Sequence, residues 1–399
     1  MEEAVHWVED HLQELNNRSL LRSLRSIRDR RGCSIVIDGK EYVDFSSNDY
    51  LGLADHPYLR EEAMRMAKCY GTSASASRLM SGDLMIHREL ENRVARFKTK
   101  ESGLVFGSGY LANVGVIPAL VGKGDVVFSD SLNHASIIDG CRLSGAHIIC
   151  YDHCNMIDLS NVLERRRRSY DRALVVSESI YSMDGDHAPL HDLVYLKTQH
   201  GALLMVDEAH ATGVCGRNGA GLVGAEGLVD QVDIIMGTFG KALASYGAYV
   251  VAAKYVIDYL INKARSFVFS TALPPSVVGA SIAALDLVEQ EPGRRKRLME
   301  STKYFRELLK DKGVETKGCW QIVPVMVGGD REAIEVSRAL EDAGIYAVPI
   351  RPPTVPHGES RLRFSVTVHH SRESLNQVTT LLHSTITGVL RTNGTTSSC

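Results

Sequence analysis

Lys241 occupies a position from which a side chain could do chemistry. It follows Met236-Gly237-Thr238-Phe239-Gly240, and the apolar run Val232-Asp233-Ile234-Ile235-Met236 leads into it. The run reads as a strand, the two glycines allow a tight turn, and the lysine sits just beyond. Loops at strand ends are where α/β folds place reactive groups. An amine shielded from water there has a lowered pKa, is nucleophilic and can form a Schiff base with a carbonyl. The plain alternative is a surface lysine after a tight turn, and Lys241 taken alone favours it.

Four further stretches shift that balance. Gly107-Ser108-Gly109-Tyr110 reads as a strand end, a turn and a helix start, where backbone N–H groups bind phosphate. Val206-Asp207-Glu208-Ala209-His210 places a carboxylate at the end of a buried strand, which is costly unless the charge is paired. A protonated pyridine nitrogen would be its partner. In Asn133-His134-Ala135-Ser136 an imidazole opens a helix and could lie on a ring face. In the polar loop Ser179 to Asp186, Ser182 could reach a ring oxygen. Each has an ordinary explanation: a glycine turn, a helix cap, a core histidine, a surface loop. Together with Lys241, in one frame, they point to a phosphate-bearing ring, for which pyridoxal phosphate is the chemical match.

The frame that must position them is an alternation of strands and helices. Strands are expected at 104–106, 126–129, 147–151, 173–177, 203–206, 234–236 and 249–252. Helices are expected between most of them, near 110–121, 134–143, 159–168 and 189–200. This rhythm implies α/β architecture, a mostly parallel sheet with helices on both faces. Before it, residues 1 to about 30 are expected to be helical with a basic end, and Ser34 to Phe45 a hairpin turning at Asp38-Gly39. After it come long helices at 275–290 and 294–312, broken at Glu291-Pro292-Gly293. Strands near 321–327, 346–350 and 361–367, with helices at 331–343 and 371–390, then make a smaller α+β domain. The expected division is an arm at 1–50, a large domain at 51–290 and a small domain at 291–399, with a polar, frayed tail from Thr392 to Cys399.

Composition excludes several classes. The chain has 399 residues, 44% hydrophobic and 23% charged, with a formal net charge of −3. That charge gives no bulk attraction to nucleic acid or anionic membrane. No apolar run reaches the roughly 18 residues of a membrane span. The acidic, amphipathic start is unlike a secretory or transit signal. Eight scattered cysteines lack CxxC pairs and read as reduced thiols of a cytoplasmic enzyme. The spacing of Cys150 and Cys154 near His147 and His153 hints at a metal, but the expectation is none.

These motifs, with Asn48-Asp49-Tyr50-Leu51-Gly52 and Gly237-Thr238-Phe239-Gly240-Lys241-Ala242, resemble the α-oxoamine synthases. The likeness runs from Asn48 to His369. That family has PLP fold type I, the aspartate aminotransferase-like fold, and condenses an amino acid with an acyl thioester, releasing CO₂ and thiol. The resemblance implies an acyltransferase with pyridoxal 5'-phosphate on Lys241, Asp207 on the ring nitrogen and His134 on the ring face. It places His210 and Ser182 near the ring oxygen, and Gly109, Tyr110 and Thr238 at the phosphate. Ser270 and Thr271 would reach the phosphate of the other subunit in a homodimer. Asn48 would lie at the substrate. Arg363 would clamp the amino-acid carboxylate, and Arg22 and Thr354 would meet the acyl group. The run Ile350-Arg-Pro-Pro-Thr-Val-Pro356 resembles the branch that joins L-alanine to pimeloyl-CoA or a pimeloyl carrier protein in biotin biosynthesis. Branches using glycine or serine with another acyl-CoA are the alternative. Ser73-Ala74-Ser75-Ala76, Ala244 and Ala248 depart from the family's more glycine-rich pattern.

Overall fold

The structure, a computed structural model, describes residues 5–394, with side chains through residue 388. The end of the polar tail, 395–399, lies outside the described residues. The described residues form two compact units: 5–47, 183–185 and 298–394 make one, and 48–182 with 186–297 make the other.

The second unit is built on a seven-stranded sheet. Its spatial order is Ser102–Phe106, Ala248–Ala252, Ile234–Thr238, Leu203–Asp207, Ala173–Glu178, Val126–Asp130, His147–Tyr151. All run parallel except Ala248–Ala252, which is antiparallel to both neighbours. Every residue of Val126–Asp130, Ala173–Glu178, Ile234–Thr238 and Ala248–Ala252 is buried. Strands covered on both faces need such continuous apolar runs, which is why they were legible. Leu104, Phe106, Val116, Ile117 and Met205 belong to the core on one face, with Ile257 and Leu260 from the helix Lys254–Lys263. Register decides what the sheet presents. Glu178 pairs with Asp207, and Asp207 with Met236, so Glu178, Asp207 and Met236 stand abreast, with Thr238 two residues further along its strand.

The first unit holds two small sheets. One is Ile27–Arg31, Ser34–Ile37, Lys40–Asp44 and Ile345–Tyr346; the other is Ile322–Gly328, Ser360–Ser365 and Pro349–Ile350. The hairpin turns at Asp38 and Gly39, whose φ of 51° and 78° give the positive pair a two-residue hairpin turn requires. Two expectations are corrected. The N-terminal helix stops at Asn17, and the basic residues Arg28, Arg30 and Arg31 lie in a strand. The single strand expected at 346–350 is two short ones, each in a different sheet.

Candidate functional site

The strand ends of the second unit open into a cavity of about 300 Å³. Asn48, Gly109, Tyr110, His134, Asp207, His210, Thr238 and Lys241, all singled out in the sequence, line it. Lys241 stands in a compact loop. Phe239 N–H donates to Gly247 O at 2.9 Å, Ser245 N–H to Phe239 O at 2.8 Å, and Ala244 N–H to Lys241 O at 2.8 Å. The loop includes Ala244 at a φ of +49°, a left-handed conformation that is costly for alanine.

One end of the cavity suits a dianion. The helix Gly109–Leu120 starts there, capped by Ser108 Oγ, which accepts from Leu111 N–H at 3.1 Å. The helix's earlier amides have no intrahelical acceptor. Thr238 Oγ1 is buried and has no hydrogen-bond partner among the described residues. A Cβ on Gly109 would lie 2.7 Å from Thr238 Cγ2, so only glycine allows this approach. Orphan donors at a helix N-terminus fit a phosphate.

Asp207 marks the other end. The sequence suggested that it would wait for a cofactor as its partner. The structure adds two partners within the chain: Oδ1 accepts from Ala209 N–H at 2.9 Å and Oδ2 from Asn113 Nδ2 at 3.0 Å. The carboxylate is thereby aimed, and its remaining lone pairs can meet a cationic ring nitrogen. His134 caps the helix Ala135–Ser144, with Nδ1 2.7 Å from Ser136 Oγ. Enclosure by the cavity wall lowers its pKa, Lys241 pushes the same way, and Asp207 opposes them. A neutral imidazole follows at neutral pH. Across the cavity wall, Tyr50 Oη lies 2.7 Å from His210 Nδ1 and donates to Asn48 Oδ1 at 3.0 Å. A hydroxyl that donates to Asn48 accepts from His210 Nδ1–H, which fixes the ring's tautomer.

Four cavity residues were missed from sequence: Glu178, Asn113, Tyr246 and Gly247. Glu178 is 2% exposed. Burial, then the Asp207 carboxylate, holds its pKa well above the usual carboxylate range, against pulls from Lys241 and the amides of His134 and Ser182. Asn113 lies four residues past Gly109 in an apolar helix, and only its contact with Asp207 reveals it.

Other expected residues lie elsewhere. Ser182 is buried but does not line the cavity. Ser270 and Thr271 line a separate small pocket with Arg78 and Phe267. Arg22, Thr354 and Arg363 belong to the first unit. There, Arg22 Nη2 lies 3.4 Å from Pro352 O and 3.5 Å from Thr354 Oγ1, in a second cavity of about 320 Å³. Arg351 lines the same cavity; burial and then the Arg22 charge lower its pKa. Arg363 is buried, with Nη1 donating to Ser365 Oγ at 2.8 Å. Of the residues weighed for metal, His153 and Cys154 approach Asp130, with His153 hydrogen-bonded to Asp130 and Asp186 at 2.8 and 2.9 Å.

Residues 40–382 match the family described as aminotransferase class I and II. The chain belongs to that family. Among its members, an 8-amino-7-oxononanoate synthase from Geobacter metallireducens is 51% identical over 376 residues, 94% of this chain and 96% of the relative. A serine palmitoyltransferase from S. paucimobilis, solved with a bound PLP-myriocin aldimine, superposes with a TM-score of 0.91. It is 30% identical and covers 98% of this chain and 99% of its own. The 8-amino-7-oxononanoate synthase of Francisella tularensis gives 0.76 at 27% identity, covering 87% and 98%. The fold of this family is the type I fold expected from the motifs.

Proposed function

We propose that the chain is an 8-amino-7-oxononanoate synthase, joining L-alanine to a pimeloyl thioester with release of CO₂ and thiol. Pyridoxal phosphate is its cofactor. The observation that carries the reading is sequence identity. The chain is 51% identical to a synthase of that name across nearly its full length, against 30% for the serine palmitoyltransferase whose backbone it follows so closely. Backbone likeness and identities of 27–30% speak to the shared fold, whereas 51% over nearly the whole chain speaks to the branch.

When bound, pyridoxal phosphate supplies an electron sink for the pair left on an amino acid's α-carbon. Its phosphate is assigned to the Gly109 and Tyr110 amides and the Thr238 hydroxyl, and its ring nitrogen to Asp207. His134 offers a neutral ring face. His210, oriented by Tyr50, and Ser182 are assigned to the ring oxygen. Lys241 supplies the anchoring amine and, once displaced, the base that takes the α-proton. In the first unit, Arg363 is the proposed carboxylate clamp, because a guanidinium binds a carboxylate bidentately. The second cavity has apolar walls at Leu21 and Ile350 and guanidiniums at Arg22 and Arg351. That suits an acyl chain with an anionic far end, and Thr354 stands beside it. Asn48 is assigned to substrate through its place in the cavity wall.

We infer a homodimer, supported by Leu79, Met80, Met85 and Phe269, large apolar side chains that are 52%, 80%, 82% and 73% exposed. In that dimer Ser270 and Thr271 would serve the neighbouring phosphate. A cytoplasmic setting is inferred from the free cysteines. Among the described residues no helix is long and apolar enough to cross a membrane.

The test is a thiol-release screen of alanine, glycine and serine against several acyl-CoA donors. L-Alanine with pimeloyl-CoA is expected to give the highest kcat/KM. Adding a hydroxyl to a substrate in an apolar pocket is discriminated by only ~10²-fold, so serine should be poor and detectable. A higher kcat/KM for glycine with acetyl-CoA would move the chain to another branch.

A further inference from the structure

Glu178 is a charge-bearing side chain that the chemistry above does not use. It is the last residue of the strand Ala173–Glu178, and in the sheet it stands directly beside Asp207. The backbone amides of His134 and Ser182 both face its carboxyl and favour its charged form. Its own N–H is bound at 3.2 Å by Asn133 Oδ1, the residue just before His134. Asn133 is in turn held by Nδ2 contacts to Ser129 Oγ at 3.0 Å and Val176 O at 2.9 Å. The remaining oxygen, Oε1, is buried without a hydrogen-bond partner among the described residues, and the residue lines the cavity. A buried acceptor without a partner is costly and calls for an explanation.

We propose that the Glu178 carboxyl is a positioning group: it ties the loops carrying His134 and Ser182 to the sheet and turns its free oxygen to the ligand bound in the cavity. The inference rests on the function proposed above for the identity of that ligand; the tie between loops rests on the register with Asp207 and the Asn133 bond to the Glu178 N–H, with the two facing amides beside them.

Its protonation state follows from what faces it. Asp207 on the adjacent strand repels a second negative charge, and burial adds to this. Lys241 and the amides of His134 and Ser182 act the other way, and the balance is upward. Glu178 is taken as the neutral acid near neutral pH, where an ordinary glutamate with a pKa of about 4.3 would be ionised. A neutral acid can accept two amide bonds through its carbonyl oxygen and donate its O–H into the cavity. Two ionised carboxylates side by side would instead compete for the same cationic ring nitrogen.

Two variants test this. Glu178→Gln keeps the shape, the neutrality and the accepting oxygen; Glu178→Ala removes all three. The first readout needs no cofactor: hydrogen exchange of peptides containing the His134 and Ser182 amides in the protein before cofactor is added. Protection should be unchanged in Glu178→Gln and fall in Glu178→Ala by roughly tenfold or more, as for a lost buried hydrogen bond. Wild-type protection in Glu178→Ala would overturn the tie. The second readout is infrared absorption in the protonated-carboxyl C=O region. A band present near neutral pH in wild type and missing from Glu178→Gln is expected; its absence from wild type would overturn the neutral acid. The third is the affinity for added pyridoxal phosphate and the visible circular dichroism of the complex. Glu178→Gln should bind within about threefold of wild type with the same dichroic sign, and Glu178→Ala at least about tenfold more weakly. Equal loss in both variants would mean that a charge is used, against the proposal. If Glu178→Ala does not fold, Glu178→Gln decides through the infrared band, exchange and affinity. If even the wild type fails to bind pyridoxal phosphate, the proposed function falls, while exchange and the infrared band still judge the tie.

Discussion

Removing the ammonium of Lys98 should destabilise the protein and loosen the turn that carries Asp207 and His210. Lys98 and Glu208 are both essentially out of water, 2.6 Å apart. Lys98 Nζ also donates to Thr212 Oγ1 at 3.2 Å and to Ala220 O, and lies 5.6 Å from the centre of the Tyr249 ring. Burial alone would lower the Lys98 pKa, but the Glu208 carboxylate and the Tyr249 hydroxyl together outweigh it and the balance is upward. Glu208 Oε1 meanwhile holds Val223 N–H at 2.8 Å. Glu208 follows Asp207 directly, and its carbonyl accepts from Ala211 and Thr212 N–H, so the pair anchors the Asp207–Gly213 turn. Lys98→Met would leave a carboxylate buried with no counter-charge, which costs roughly 3–5 kcal/mol. That is a large share of the ~5–15 kcal/mol a domain has. Urea unfolding should show the loss, and pyridoxal phosphate affinity should fall with it. The double variant Lys98→Met/Glu208→Gln should recover at least ~1 kcal/mol of the single variant's loss, because no charge is then stranded. A Lys98→Met protein within ~1 kcal/mol of wild type, or a double variant worse than the sum of its parts, would refute the reasoning.

Two further outcomes follow from individual positions. His370 is buried against Phe45, and burial, with a smaller push from His369, lowers its pKa to about 4. The unfolded value is about 6.5, so its contribution is fully present above about pH 6.5 and is lost as pH falls toward 4, by about 3 kcal/mol. Urea midpoints measured across that range should show the decline, and His370→Asn should flatten it. At Ala244, φ is +49°. Substitution by glycine should leave thermal stability unchanged or raise it by up to ~1 kcal/mol, although glycine usually costs that much, while Ala244→Val should lose ~1 kcal/mol or more. Melting temperatures decide between the signs.

Much of the site was legible because its residues sit at strand ends in local motifs. The Gly237-to-Lys241 turn, the helix start at Gly109 and Asp207 each carry their signal within a few neighbouring residues. Glu178 and Asn113 do not. Glu178 ends an apolar strand like any other polar residue, and its meaning comes from register with Asp207 on a neighbouring strand. Asn113 is an amide in a buried helix until the fold brings it to Asp207. In the first unit, the strand Ile27–Arg31 was hidden by its composition: an edge strand of four charged residues pairing on one side through an irregular register. Charge on an edge is a device against unwanted pairing, and it erases the apolar alternation that marks a strand. The change of sheet between Tyr346 and Pro349 left no local signal either, since both short segments are extended and apolar.

The central claim is that Lys241 is the amine that holds pyridoxal phosphate in the cavity between Asp207 and the Gly109 helix. Borohydride reduction of the protein with pyridoxal phosphate, followed by peptide mass spectrometry, tests it most directly. The account predicts a stable pyridoxyl adduct on Lys241 alone, with the visible absorbance band lost on reduction and no adduct in Lys241→Ala. An adduct of equal yield on another lysine, or undiminished labelling of the Lys241→Ala protein, would contradict it.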